Sequence, residues 1–377
     1  MTMNNIEKFL KNSNLEYPLL VMDLSKVSDS YKKLKKAFPY YKIYYAVKAN
    51  PAKEILNCLK NQGSYFDVSS KNEINLCLSE SIDPSFLSFG NTVKKEKDIL
   101  WAYKKGIKLF AFDSIEELNK IEKNAKNAQV FCRLQVPNQG ANWPLSKKFG
   151  CSKEMAKKLL IEAKKKNLSP VGVSFHVGSQ QTNINRWVES LKLCFDVYSY
   201  LKENNIFLDF INIGGGIPVN YFDFNFDLKI FSKKLNMEIK NIFGDAPINF
   251  ILEPGRFLVA EAGVIESEVI LVSKKNNKDK KRWVYLDIGR FGGLAETESE
   301  AIRYKITTVN NNSECSPVNI AGPSCDGADI IYEKYNYQLP KNLKSGDRVR
   351  FHSAGAYTSV YVSDFNGLQR LREYFIE

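Results

Sequence analysis

The sequence lacks the features that mark a metal cluster, a disulfide framework or a secreted protein. Its seven cysteines are widely spaced, and no two of them have the C-x-x-C spacing. This pattern argues against a zinc cluster and against a set of structural disulfides. The first residues also lack the apolar segment of a signal peptide. We therefore expect a cytoplasmic protein with reduced cysteines and no metal site.

Long apolar runs and arginine are scarce as well. No run approaches the roughly 20 residues that cross a bilayer, so we expect no membrane partner. The formal net charge is +12, but only ten of the 54 basic residues are arginine, and the lysines are scattered over stretches such as KKLKKAF. Nucleic-acid surfaces usually depend on arginine and on clustered basic stripes. We expect a solvated lysine-rich surface, no nucleic-acid partner, and a positive field that attracts an anionic substrate.

The chain does contain a regular alternation of strand-like and helix-like segments. Its 377 residues, 44% of them hydrophobic, suffice for one large or two medium domains. Between residues 25 and 261, runs such as KIYYAVKA, SYFDVSS and AQVFCRLQV alternate with amphipathic stretches such as SKEMAKKLLIEAKKK. This order is typical of βα units around a parallel sheet, and the units are numerous enough to close a (β/α)8 TIM-like barrel.

The pattern changes near residue 262. The runs VIESEVILVSKK, RWVYLDIG and DRVRFHSAGAY are strand-like and are joined by turns with little helix. They predict a C-terminal, mainly antiparallel β domain. We assign residues 1–24 and 262–377 to this domain, which gives an α/β fold of two domains.

Polar residues and a run of glycines follow several of the predicted barrel strands. They are Lys48, Asp67, Arg133, His176, Gly214 to Gly216, and Glu253 to Arg256. Catalytic groups of such barrels lie at the carboxyl ends of the strands, so these residues predict one shared site. Taken singly, each has an ordinary structural explanation: a strand-end lysine, a structural histidine, a flexible turn, or a surface ion pair. Only their joint arrangement is specific.

The motifs YYAVKAN, FDVSSKNEI, GVSFHVGSQ, INIGGGIP, EPGRF, GPSCDGAD and GAYT occur in this order between residues 18 and 367. This series resembles the fold-type III pyridoxal-phosphate decarboxylases, the family of the ornithine, lysine and diaminopimelate enzymes. The resemblance implies the alanine racemase and ornithine decarboxylase architecture. It also implies pyridoxal 5'-phosphate as cofactor and α-decarboxylation of an L-amino acid.

The resemblance gives several residues a role around the cofactor. Lys48 would bind the cofactor as a Schiff base, Glu253 would pair with the pyridine nitrogen, and His176 would stack on the ring face. Related alanine racemases carry an arginine at the position of Glu253, so a carboxylate favours decarboxylation. The resemblance places Asp67 beside the lysine and Arg133 as a brace of the site. The other positions that it assigns to cofactor binding are Ser179, Gly214, Gly215, Gly216, Gly255, Arg256 and Tyr357.

A second group of expectations concerns Cys325. The resemblance implies that this thiol crosses a dimer interface and protonates the carbanion after CO2 leaves, while Asp326 approaches the substrate. It also implies an ion pair between Lys148 of one subunit and Asp329 of the other. We therefore expect a homodimer with two shared active sites.

The substrate is predicted less specifically, because residues 286–306 reproduce neither the ornithine pattern nor the diaminopimelate pattern. The stretch resembles a subgroup acting on conjugated amino acids, such as citryl conjugates of diamino acids in carboxylate-siderophore biosynthesis. Arg290 and Arg303 would then bind distal carboxylates, unless both are surface residues. The competing interpretation is a free diamino acid of the polyamine or lysine pathways, with Glu296, Glu298 or Glu300 binding its distal ammonium group.

Three other functions compete with an amino-acid decarboxylase. An amino-acid racemase is the nearest, and exchange of the Cα proton without loss of CO2 would identify it. A catalytically silent relative would be expected to lose Lys48 or Cys325, and both are present. A small pyridoxal-phosphate carrier protein has the barrel alone, which the β-rich residues after 262 oppose.

Overall fold

The structure is a computed structural model that describes residues 5–12, 15–143, 148–222, 224–309 and 313–377. The chain forms two compact units. The barrel unit comprises Ser28–Pro218 and Phe226–Gly255. The β unit comprises the chain up to Val27, together with Val219–Asn225 and Arg256–Glu377.

The helices and strands follow in chain order. The α-helices are α1 (Asn5–Asn12), α2 (Leu24–Ala37), α3 (Lys53–Asn61), α4 (Lys71–Ser79), α5 (Glu96–Lys104), α6 (Ile115–Asn124), α7 (Lys153–Lys165), α8 (Asn185–Glu203), α9 (Leu228–Phe243) and α10 (Arg256–Val259). The strands are β1 (Leu19–Asp23), β2 (Lys42–Ala46), β3 (Tyr65–Val68), β4 (Leu87–Phe89), β5 (Leu109–Phe112), β6 (Gln129–Arg133), β7 (Ala141–Trp143), β8 (Ser169–Ser174), β9 (Ser179–Gln181), β10 (Phe210–Asn212), β11 (Asn249–Leu252), β12 (Gly263–Ser273), β13 (Arg282–Leu286), β14 (Ile306–Thr308), β15 (Cys315–Ala321), β16 (Ile330–Tyr332), β17 (Gln338–Pro340), β18 (Arg348–His352) and β19 (Arg372–Ile376).

The barrel unit contains the predicted parallel barrel. Its strands close in the order β2-β3-β4-β5-β6-β8-β10-β11, and each pair of neighbours is parallel. All four residues of β5 are buried, as expected for a strand covered on both faces. The predicted (β/α)8 barrel is therefore confirmed, and its parallel strands bring their carboxyl ends to one edge.

Serine caps fix the beginnings of three barrel helices. Ser70, Ser114 and Ser152 each accept a hydrogen bond from the backbone N–H three residues later. Such a cap satisfies one of the N–H groups that have no partner inside the helix. The caps of α4 and α6 leave only two residues between each helix and the strand before it, β3 and β5 respectively.

The β unit is built on one mixed sheet in which β12 is the longest strand. This strand pairs antiparallel with β1, β13 and β18. Parallel pairs occur only between β1 and β19 and between β13 and β15 in the described part of this sheet. The mainly antiparallel arrangement is confirmed. The strand β18, which carries His352, lies between β12 and β14.

The observed units differ from the predicted division at residues 24/25 and 261/262. The segment 219–225 belongs to the β unit, where the N–H of Phe222 donates to the carbonyl of Arg303 at 3.1 Å. Residues 256–261 belong there too, since Arg256 forms an ion pair with Glu296 at 2.6 Å. Among the described residues, the helices are too short or too polar to cross a membrane.

Candidate active site

Lys48 and Asp67 meet at the carboxyl edge of the barrel. Lys48 lies in a 3-10 turn directly after β2, and its Nζ is 3.5 Å from Oδ2 of Asp67 in β3. The lysine side chain is 48% exposed, whereas that of Asp67 is 4% exposed. Burial raises the pKa of Asp67, and the charges of Lys48 and then Arg133 oppose that rise. The lysine that ends the buried strand therefore has a carboxylate partner and a face open to solvent.

Asp67 also has an oxygen available for a further partner. Within the described part of the chain, nothing hydrogen-bonds to its buried Oδ1. That oxygen lies against Gly90, where an added Cβ would collide with the carboxylate. A buried polar atom without a partner is uncommon and is typical of functional sites.

Glu253 follows β11 and is held from the neighbouring strand. Nδ2 of Asn212 donates to Oε1 of Glu253 at 2.5 Å. Burial raises the pKa of Glu253 to about 7, and the charge of Asp67 adds to the rise, while Lys48, Asn212 and Arg133 act against it. Its ionisation is therefore balanced close to neutral pH.

His176, which follows β8, is a neutral imidazole. Burial lowers its pKa to about 3, with smaller contributions from the positive charges of Arg133 and Lys48. The N–H of Gly178 donates to Nδ1 at 3.0 Å, so the ring proton is on Nε2. An uncharged, planar ring of this kind is suited to packing on an aromatic cofactor.

Arg133 ends β6 and carries the positive charge opposite the two carboxylates. Its guanidinium lies 4.9 Å from the ring centre of Phe149. Burial lowers its pKa, and the charges of Glu253, Asp67 and Asp113 oppose that effect. Arg133 therefore lies among the acidic groups of the site, and its role as a brace stays a prediction.

The three consecutive glycines form a turn packed against main chain. Gly214 and Gly216 have φ values of +69° and +86°, which side chains other than glycine rarely adopt. An added Cβ at Gly214, Gly215 or Gly216 would collide with the carbonyl of Phe175, Glu253 or Gly178, respectively. Ser179 begins β9 directly after Gly178, and the N–H of Gln181 in the same strand donates to the carbonyl of Gly216 at 3.0 Å.

These barrel residues fit pyridoxal phosphate. An amine is present for its aldehyde, a carboxylate for its pyridine nitrogen, a neutral imidazole for its ring face, and a glycine turn for its phosphate. The unpartnered Oδ1 of Asp67 is a further polar group for the cofactor or the substrate. When bound, pyridoxal phosphate accepts the electron pair that remains after CO2 departs. Gly255, also predicted at this site, is buried after Pro254.

In the β unit, Arg256 is the centre of a buried cluster. Its guanidinium donates to Oε1 of Glu296 at 2.6 Å and to the hydroxyl of Tyr221 at 2.9 Å, and it lies 4.8 Å from the ring centre of Tyr357. Burial alone would lower the pKa of Arg256, but Glu296 and Tyr221 hold it well above its usual value. Arg256 and Tyr357, both predicted to bind the cofactor, are thus adjacent. Glu296, predicted to bind substrate, is engaged by Arg256 instead.

Cys325 lies exposed on a loop that is organised by Asp329. The carboxylate of Asp329 is buried and accepts backbone hydrogen bonds from Arg290 at 2.7 Å and Ser324 at 3.1 Å. Asp326 accepts one from the N–H of Ala328 at 2.8 Å. The ion pair between Asp329 and Lys148 of a partner subunit stays a prediction.

The predicted substrate residues of 286–306 are mostly engaged within the β unit. Arg290 pairs with Glu298 and donates to the carbonyl of Ala328 at 2.8 Å. The guanidinium of Arg303 lies 4.7 Å from the ring centre of Tyr335. Glu300 accepts the backbone N–H groups of residues 333–335, which makes it a structural residue. Glu298 is the most exposed of the three glutamates, with 52% of its side chain accessible.

Asn212 is the residue that sequence reasoning missed. It ends β10, and Ile213 separates it from the three glycines. The available signal was a polar residue among the apolar residues of a strand-like run, two positions before a run of three glycines.

Comparisons with known proteins agree with this geometry. Residues 24–260 match the family model described as "Pyridoxal-dependent decarboxylase, pyridoxal binding domain". The lysine/ornithine decarboxylase of Selenomonas ruminantium is 32% identical over 351 residues, which are 93% of this chain and 87% of that protein.

Two solved structures are similar over nearly their whole length. The lysine/ornithine decarboxylase of Vibrio vulnificus complexed with putrescine has a TM-score of 0.88 and 32% identity, over 99% of this chain and 97% of that one. The arginine decarboxylase of Paramecium bursaria Chlorella virus bound to agmatine has a TM-score of 0.91 and 27% identity, over 98% and 99%. The chain belongs to the fold-type III pyridoxal-phosphate decarboxylases and is a pyridoxal-phosphate-dependent carboxy-lyase.

Proposed function

We propose that this enzyme removes the α-carboxylate of a free basic L-amino acid, with ornithine and lysine as first candidates. The observation that carries the proposal is the group formed by Lys48, Asp67 and Glu253 at the carboxyl edge of the barrel. This group provides an amine for covalent attachment and a carboxylate for the pyridine nitrogen. Relatives named as lysine/ornithine decarboxylases support the choice of substrate.

The proposed roles follow from the chemistry of each side chain. Lys48 binds the cofactor aldehyde through its amine and releases it to the substrate amine. Glu253 accepts the pyridine N–H, and His176 covers one ring face without adding charge. Cys325 delivers a proton to Cα after the carboxylate has left, and Asp326 approaches the substrate.

The distal end of the substrate is proposed to meet Glu298. A basic amino acid needs a carboxylate for its distal ammonium group, and Glu298 is half exposed. Arg290 and Arg303, which a distal carboxylate would require, already contact Glu298 and Tyr335. Glu298 would have to exchange Arg290 for the ammonium group, so the choice of a cationic end rests on the relatives named as lysine/ornithine decarboxylases.

A citryl-type conjugate of a diamino acid, as in carboxylate-siderophore biosynthesis, is the second candidate. The observation in its favour is that residues 286–306 reproduce neither the ornithine nor the diaminopimelate pattern. Arg290 would then exchange Glu298 for a carboxylate of the substrate. The net charge of +12 would help to attract such an anion.

The first experiment is CO2 release by the cofactor-loaded enzyme, with products identified by mass spectrometry. The panel contains ornithine, lysine, arginine, diaminopimelate and citryl conjugates of diamino acids. Turnover of ornithine or lysine supports the proposal and a role in polyamine metabolism. Turnover of a conjugate alone contradicts it and favours siderophore assembly.

A pair of variants tests the distal contact. Glu298→Gln is expected to raise KM for the diamino acid by at least about tenfold, because a charged hydrogen bond is lost. Glu314→Gln is the matched control, since Glu314 pairs with exposed Lys341 elsewhere in the β unit. An unchanged KM in Glu298→Gln would remove Glu298 from the proposal.

We further propose a homodimer with shared active sites and a cytoplasmic location. The dimer is supported by the resemblance that gives Cys325 a role across an interface. The location is supported by the seven free cysteines.

A further inference from the structure

Asn212 links the two ends of the predicted cofactor site within the barrel unit. It is the last residue of β10, which lies between β8 and β11, and it is 2% exposed. Its Nδ2 donates to Oε1 of Glu253 at 2.5 Å, and its Oδ1 accepts the N–H of Gly214 at 2.9 Å. One buried amide therefore connects the carboxylate after β11 to the first glycine of the turn.

The two partners fix the orientation of this amide. The N–H of Gly214 only donates, and an ionised carboxylate only accepts. Rotating the amide by 180° would place oxygen against oxygen and NH2 against N–H, so both hydrogen bonds would be lost. Asn212 therefore donates to Glu253, and a donor favours the ionised form of a carboxylate.

The charges that face Glu253 come from three elements. Asp67 in β3 opposes its ionisation, while Lys48 after β2 and Arg133 in β6 favour it. With burial, these charges place the pKa of Glu253 at about 7. Loss of a single donor would therefore change the ionised fraction of Glu253 near neutral pH.

The main chain already joins β11 to the glycine turn. The N–H of Glu253 donates to the carbonyl of Gly214 at 2.9 Å. The amide of Asn212 is therefore not required to hold these two segments together, and its contact with Glu253 acts on the carboxylate itself.

We propose that Asn212 is a positioning residue that holds Glu253 ionised and fixed relative to the glycine turn. The pyridine nitrogen and the phosphate belong to the same rigid cofactor. Glu253 and the glycine turn, which are proposed to bind these two groups, must therefore stay at a fixed distance from each other. The inference deepens the proposed function and rests on the role proposed for Glu253.

The test measures binding of pyridoxal phosphate to the full-length apoprotein by visible absorbance, from pH 6 to pH 8.5. The result is the ratio of the dissociation constant of each variant to that of wild type. For Asn212→Ala we expect a ratio of at least about ten at pH 6, because a hydrogen bond to a charged group is lost. The ratio should shrink as the pH rises, because Glu253 without its donor ionises only at higher pH.

Asn212→Asp should show the opposite trend. An aspartate still accepts the N–H of Gly214, and at low pH it shares one proton with Glu253, so the ratio should be close to one at pH 6. As the shared proton is lost, the two carboxylates repel each other and displace Glu253. We expect the ratio to reach at least about ten at pH 8.5.

Asn249→Asp is the matched control. Asn249 begins β11 at the opposite end from Glu253, is exposed, and donates to the carbonyl of Asp209 at 3.0 Å. The same chemical change there should leave the ratio near one at every pH. Thermal unfolding of each apoprotein over the same pH range verifies folding, and Asn212→Asp carries the test if Asn212→Ala does not fold.

Two results would overturn the inference: a ratio independent of pH for Asn212→Ala, or a ratio of one throughout for Asn212→Asp. Glu253→Gln, measured in parallel, separates this failure from that of the proposed function. If Glu253→Gln binds the cofactor as wild type does, the role of Glu253 fails. If it binds weakly while the Asn212 variants show no pH trend, only the role of Asn212 fails.

Discussion

At the scale of single residues, the carboxyl edge of the barrel holds groups whose protonation states depend on one another. Burial raises the pKa of Asp67 and of Glu253, and the charge of Asp67 raises the pKa of Glu253 further, while Lys48 and Arg133 lower both. His176 stays neutral beside both cations. A change at one of these residues therefore alters the charge of the others.

Lys48→Ala is expected to abolish covalent cofactor binding. No other amine is proposed for the aldehyde, so activity should fall on the order of 10⁴-fold or more, as for other covalent catalysts. Visible spectroscopy would show the loss of the absorbance band. Mass spectrometry would show the loss of the adduct that borohydride traps. Lys42 begins β2, at the end of this strand that is opposite Lys48, and Lys42→Ala should retain both signals. A trapped adduct in Lys48→Ala would disprove the assignment.

His176 should make the stability of the apoprotein depend on acid pH. Its pKa is lowered to about 3 in the folded state, so the unfolded chain binds a proton that the folded chain excludes. Its contribution is fully present above the ordinary pKa near 6.5 and is lost as the pH falls toward 3. Between pH 7 and pH 5 we expect wild type to lose about 1–2 kcal/mol more unfolding free energy than His176→Gln, measured by urea denaturation. Equal losses in the two proteins would contradict this.

At the scale of elements, the glycine turn after β10 is the part most sensitive to added atoms. Gly215 has an ordinary backbone conformation, so its requirement for glycine is steric: a Cβ would collide with the carbonyl of Glu253. Gly215→Ala should destabilise the apoprotein by about 1–3 kcal/mol and weaken cofactor binding. Denaturation and cofactor titration would measure the two effects.

Gly327 provides the control for this substitution. It has no positive φ, and an added Cβ there would meet nothing within 4 Å. Gly327→Ala should therefore leave the stability of the apoprotein unchanged, which is the property it controls for. If Gly215→Ala behaved in the same way, the turn would have more room than its packing indicates.

The barrel strands could be predicted from the sequence because they are apolar runs, several of which contain or are closely followed by a polar residue at their carboxyl ends. Their common edge then followed from the parallel arrangement, which brought Lys48, Asp67 and Glu253 together. Partners formed by distant segments could not be predicted. Lys94 lies in a run that reads as exposed, yet its side chain has no exposure and pairs with Glu117 in α6 at 2.9 Å.

Contacts within residues 286–306 of the β unit could not be predicted either. Three glutamates spaced two residues apart look equivalent in sequence. In the structure Glu296 binds Arg256, Glu298 meets Arg290, and Glu300 caps the backbone of residues 333–335. Non-helical backbone angles at Glu298 and Ser299 separate the three side chains, and helical periodicity does not describe such a segment.

At the scale of the whole molecule, the proposed dimer assigns Lys48 and Cys325 of one active site to different subunits. A homodimer of Lys48→Ala would then lack the amine in both sites, and one of Cys325→Ala would lack the thiol in both. In a mixed dimer, one site carries both substitutions and the other carries neither.

Mixing the two inactive variants should therefore restore activity. With random exchange of subunits, half of the dimers are mixed and each has one intact site, so about a quarter of wild-type activity is expected. Formation of the amine product after incubation of equal amounts, identified by mass spectrometry, would measure it, and each variant incubated alone provides the control. Cys315→Ala, at the other exposed cysteine of the β unit, should be fully active by itself. If subunits exchange but activity does not return, Lys48 and Cys325 must serve the same subunit's site.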